Sequence, residues 1–167
     1  MTPATATMDW VRDFVLKHAL CPFAFRPYEE GRVAAVSCPD VEEEEAFFWA
    51  LTQVQGFADQ QSEVATILLV FPEVLADFST FLDFVYTFER ALADTGADAL
   101  VQLAHFHPNY VFAGVAAEDP GNRTNRAPYP VVQLLRVDAM AAAIAAYPDV
   151  EEIPVRNVEK MRKLFSA

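Results

Sequence analysis

Cys21 and His107 are the side chains of this 167-residue chain that could begin a covalent reaction. A thiolate is a nucleophile and a neutral imidazole accepts protons, so a cysteine within reach of a histidine can attack an electrophilic carbon. Cys21 stands before Pro22 at the end of an expected helix. The negative end of a helix dipole disfavours a thiolate, so activation would have to come from His107 or an arginine. His107 opens the segment HPNYVFAGVAAEDPGNRTNRAPYP, where a buried strand gives way to a loop and Pro108 holds the backbone extended. At such a strand end it could serve as a general base or as a donor to an anion. The plainer readings are a histidine that holds the loop backbone and a cysteine that packs as a small hydrophobe.

Arg126 beside Asn125, followed by Pro128-Tyr129-Pro130, reads as a guanidinium on a rigid platform, suited to a carboxylate or phosphate. Tyr110 and Tyr129 would line such a pocket or pack the loop onto the sheet. The expected partner is therefore a small anionic molecule. Against it stands an architectural reading, in which Arg126 pairs internally and the loop motifs are scaffold of a non-catalytic module that binds a ligand or a protein. Cys21, His105 and His107 could together offer three zinc ligands, but that spacing is easily accidental and no metal is expected. The five glycines are scattered, with no phosphate-cradling loop, nucleophile elbow or dinucleotide fingerprint, so no cofactor is expected either.

These residues need elements to place them. Trp10, Val11, Phe14, Val15 and His18 recur at helical spacing and predict a helix over residues 8–20, closed by Pro22. Val33 to Ser37 reads as a short strand. Asp40 with Glu43 fits a capping box opening a second helix, whose glutamate run suits the dipole and whose stripe continues through Phe47, Leu51 and Val54. Val64 to Phe71 is a continuous apolar run, as expected of a strand covered on both faces at the centre of a sheet. Phe78, Phe81, Leu82, Val85, Phe88 and Leu92 predict a helix stopped at Thr95-Gly96. Two further buried strands run from Ala99 to Phe106 and from Val131 to Val137. Asp138 would cap an alanine-rich helix ending at Pro148, and Pro154 would open a final one carrying Val158, Met161 and Phe165.

Strands alternating with helices predict an α/β (or α+β) sandwich: one domain over residues 1–167, with a mixed sheet of about four strands covered by helices. The last strand need not run parallel to the third, because no crossover helix joins them. A connection as long as residues 107–130 is uncommon unless functional or disordered, and its Tyr110, Phe112 and Tyr129 need somewhere to pack. It is expected to be an ordered loop over the sheet edge. A composition of 53% apolar residues supports a packed core, and a formal charge of −12 argues against nucleic acid and anionic membrane surfaces as partners. The N-terminus lacks a signal-peptide pattern, and no apolar run reaches the roughly 20 residues of a membrane span. A cytoplasmic protein with two free thiols, Cys21 and Cys38, is the expectation; oligomeric state is not specified.

LCPFA at Leu20–Ala24, FHPNYVFAG at Phe106–Gly114, Asp119 with Asn122, and NRAPYP at Asn125–Pro130 followed by Leu134–Arg136 are in an order that resembles an uncharacterised bacterial family, classified only as a domain of unknown function. The resemblance runs from Trp10 to the final helix and implies membership without an activity. It also implies a histidine where this chain has Gln133, and a small hydroxyl residue where it has His105. The first difference puts any shared histidine chemistry in doubt for this chain.

Overall fold

The computed structural model describes residues 1–59 and 62–166. Helix α1 spans Pro3–Trp10 and continues as a π-helical segment, Val11–Leu16. It begins earlier than the apolar spacing predicts because Thr2 accepts a hydrogen bond from the Thr5 amide and Pro3 fits the first turn, where its missing N–H costs nothing. It also ends earlier, at Leu16, and the Leu20 amide closes the following turn on the Val15 carbonyl at 2.9 Å. A short helix α2, Phe25–Glu29, then precedes strand β1, Val33–Ser37.

Helix α3 covers Glu43–Ala58. The expected capping box is not formed: the N-cap is Glu42, without a side-chain cap, and the Asp40 carboxylate instead faces the Cys38 thiol at 3.7 Å. Strand β2, Thr66–Val70, leads to helix α4, Phe78–Thr95, whose ends are well specified. The Asp77 side chain accepts from the Thr80 amide at 2.9 Å, and Gly96 takes the left-handed conformation at φ 78° that terminates a helix. Strand β3 is Val101–Phe106 and strand β4 is Val131–Arg136. Helix α5, Val137–Ala146, follows β4 directly. Its N-cap position falls on Arg136, so Asp138 lies within the first turn rather than capping it. Helix α6, Ile153–Phe165, completes the order, with Pro154 in its first turn one residue later than expected.

The sheet order is β1-β2-β4-β3, with β1 parallel to β2 and β4 antiparallel to both β2 and β3. The chain is thus an α/β protein with an open mixed sheet, and β2, the continuous apolar run, is one of its two central strands. Strand parity then assigns two faces. Ile67, Leu69, Phe71, Val101, Leu103, Val132 and Leu134 pack against α3 and α4, where Phe57, Phe81 and Phe88 are fully buried. The opposite face receives α1 and the π-helical segment: Val11, Met8 and Trp10 meet Leu68, Val70 and Val131. Helix α5 buries none of its residues and α6 buries only Met161, so this second face is closed more loosely. No helix among the described residues is long and apolar enough to cross a membrane.

Residues 107–130 form an ordered loop containing a 3-10 helix, Pro120–Asn125. Asn122, fully buried, accepts from the Phe112 amide at 3.0 Å and donates to the Ala116 carbonyl at 2.8 Å, so one side chain folds the loop onto itself.

Candidate functional site

The residues expected to do chemistry fall into two environments. On β3 and just past its end, His105 and His107 point to the α4 side and Ala104 and Phe106 to the other, as alternation requires. The His107 ring is fully buried, with centroids 5.2 Å from Phe78 and 5.0 Å from Phe81. Its Nδ1 accepts from the Asn109 amide at 3.0 Å. The ring proton therefore sits on Nε2, which donates to the Leu75 carbonyl at 2.9 Å. Burial lowers the pKa of His107, against weaker raising contributions from backbone groups and Asp77. Tyr110 packs beside this ring, 4.9 Å from Phe78.

Arg126 is bound to the loop's own backbone: Nε donates to the Tyr110 carbonyl at 3.0 Å and Nη2 to the Ala117 carbonyl at 2.8 Å. Asn125 donates to the His105 carbonyl at 3.1 Å, while its own carbonyl accepts from the His107 amide at 3.0 Å. These residues splice the loop to the end of β3. Arg136 donates to the Val64 and Phe57 carbonyls and lies over the Phe57 ring at 4.1 Å.

Cys21 lies across the sheet. It lines a cavity of about 890 Å³ enclosed by the second sheet face, the π-helical segment, α5, α6 and the 3-10 helix. Burial raises its thiol pKa, opposed by hydrogen bonds from the backbone at Phe23 and Ala24. Of the residues expected at a site, Cys21 and Asn125 line this cavity, whereas His107, Tyr110 and Arg126 do not; Tyr129 packs in the apolar cluster around Val11 and Leu68. Cys21 and His107 do not meet, because they belong to opposite faces of the same sheet. The same separation removes Cys21, His105 and His107 as a joint ligand set, and among the described residues no group of three His, Cys, Asp or Glu side chains is placed to hold a metal ion.

The cavity is mostly apolar, with Leu68, Ala104, Phe106 and Leu135 on its floor. Two polar side chains interrupt the floor. Gln133 donates through Nε2 to the Thr66 hydroxyl at 3.0 Å, and that hydroxyl donates to the Leu134 carbonyl at 2.7 Å. Helix α6 forms the roof and is tied at three points. Asn157 donates to the Leu20 carbonyl at 2.6 Å, Lys160 donates to the His18 carbonyl at 2.5 Å, and Arg162 pairs with Asp119 at 2.8 Å.

The chain matches, over residues 2–167, the family described as protein of unknown function, DUF1415. It belongs to the DUF1415 family. The match spans the sheet, the loop and all the helices, so the cavity lies wholly within the DUF1415 region. No curated protein and no solved structure matches the chain.

Sequence reasoning missed Thr66 and the α5 and α6 residues of the wall. A signal was present for the floor: Thr66 and Gln133 are polar positions inside runs otherwise fit for a fully covered strand. In this member of the DUF1415 family those two residues are hydrogen-bonded to each other across adjacent strands.

Proposed function

We propose that the protein binds a small, predominantly apolar molecule in the cavity on the second sheet face, with the motifs of residues 107–130 serving as its scaffold. The observation that carries this reading is the cavity itself. A well-packed domain of this size leaves few voids larger than a water molecule, whereas about 890 Å³ is the size of a ligand site. Its wall is built mostly from secondary structure, with polar groups limited to a few positions.

A small anion held by Arg126 and Asn125 has less support, because the guanidinium is occupied by backbone carbonyls and Asn125 bridges the loop to β3. Thiol catalysis has less support for a second reason: burial favours the protonated form of Cys21, and among the described residues no histidine lines the cavity with it.

The test is a titration with 2-methoxynaphthalene, a neutral bicyclic probe, followed by amide NMR shifts. Shifts are expected at Thr66, Ala104, Ala143 and Val158, and Ala143→Phe, which fills the cavity from the loosely packed α5, should abolish them without altering the circular dichroism spectrum. Shifts confined to other surfaces, or unchanged binding by Ala143→Phe, would remove the cavity as the site.

A further inference from the structure

We infer that the cavity selects a ligand carrying a neutral hydrogen-bond donor, a hydroxyl or an N–H, which it reads through the side-chain carbonyl of Gln133. This rests on the proposed binding function and adds the chemical class of the ligand. Thr66 has one hydroxyl hydrogen, and it is directed to the Leu134 carbonyl at 2.7 Å. The Thr66 oxygen can therefore only accept from Gln133, which must present Nε2 rather than Oε1 at 3.0 Å. The relay thus fixes which way the amide faces, a choice that is otherwise nearly symmetric.

With Nε2 turned to Thr66, Oε1 is directed away from it, on a side chain that lines the cavity. Among the described residues no group donates to Oε1. A largely apolar cavity thereby carries an acceptor whose orientation is set by a strand-to-strand hydrogen bond. The charged groups of the wall do not compete for this role. Arg162 is paired with Asp119, Arg136 is bound to backbone carbonyls on the other face, and Glu159 adds negative charge, which disfavours an anionic ligand.

The experiment compares three probes of similar bulk, 2-naphthol, 2-methoxynaphthalene and 2-naphthoate, by calorimetric titration of the full chain and of Gln133→Leu. In the wild type, 2-naphthol should bind about tenfold more tightly than 2-methoxynaphthalene, the effect of one added hydrogen bond to the Gln133 side-chain carbonyl. Gln133→Leu should erase that preference while keeping the affinity for 2-methoxynaphthalene. Equal binding of the two neutral probes at the cavity overturns donor selection but leaves the cavity as the binding site. Tightest binding by 2-naphthoate overturns it in favour of an anionic ligand. Absence of all three from the cavity overturns both readings together. The wild-type comparison needs no variant, so donor selection is decided even if Gln133→Leu fails to fold.

Discussion

His107, with one ring nitrogen accepting from Asn109 and the other donating to Leu75, joins the start of the long loop to the segment that enters α4. His107→Ala should cost about 2–4 kcal/mol in urea denaturation, since it leaves buried backbone groups unpaired and opens a void beside Phe78 and Phe81. The ring also makes stability depend on pH in a defined sense. Its folded pKa lies below the free value of 6.5, so between the two values the unfolded chain binds more protons than the folded one. Stability from this group is complete above pH 6.5 and declines as pH falls toward the folded value. His18 and His105 are shifted the same way by burial, so a His107→Gln variant is needed to isolate the contribution. Its melting temperature should fall less steeply than that of the wild type below about pH 6.5. Asp77, held low chiefly by the Thr80 amide, acts in a separate window below its ordinary 3.8. Arg126→Ala releases two loop carbonyls and should destabilise by about 1–2 kcal/mol, with naphthalene-probe affinity unchanged, since Arg126 is not on the cavity wall.

Among the elements, two glycines give a matched pair of tests. A β-carbon on Gly121, in the 3-10 helix, would stand 2.8 Å from the Val158 side chain of α6, whereas one on Gly56 in α3 meets nothing within 4 Å. Gly121→Ala must push α6 outward and should cost about 1–3 kcal/mol while weakening probe binding. Gly56→Ala should stabilise by about 0.5–1 kcal/mol and leave binding alone. At this scale much of the fold is legible in the sequence. Helix α4 and all four strands lie close to where apolar periodicity and turn residues place them, because their signals are local. The departures have local causes too. Helix α3 starts later than the Asp40–Glu43 capping box suggests because Asp40 turns to Cys38 instead of capping, although its acidic run still fills the first turn, and α2 escapes notice because its five residues are too few to show a helical stripe. The separation of Cys21 from His107 is not legible for another reason. Alternation separates Phe106 from His107, but which sheet face receives the N-terminal helix is decided by packing between residues far apart in sequence. Likewise, Arg126 stands out by its neighbours, while its acceptors, the Tyr110 and Ala117 carbonyls, belong to a loop path that only the folded chain reveals.

Taken whole, the molecule gives the two sides of one sheet different duties. The α3 and α4 side is sealed by interlocking aromatics, with Phe71 and Phe84 at 5.4 Å and Phe47 and Phe88 at 5.7 Å between centroids, and losses there should unfold the chain. The other side is closed over the cavity by α5, which buries no residue, and by α6, which buries one. Tolerance to mutation should therefore change with every step along a strand. On β4, Val132 and Leu134 face the sealed side, while Gln133 and Leu135 face the cavity. A library covering residues 132–135, sorted once for cellular abundance and once for probe capture, should return two interleaved combs: even positions depleted in the first sort, odd positions in the second. Natural variation in such a protein could retune what it holds by drifting along one comb, without passing through sequences that fail to fold.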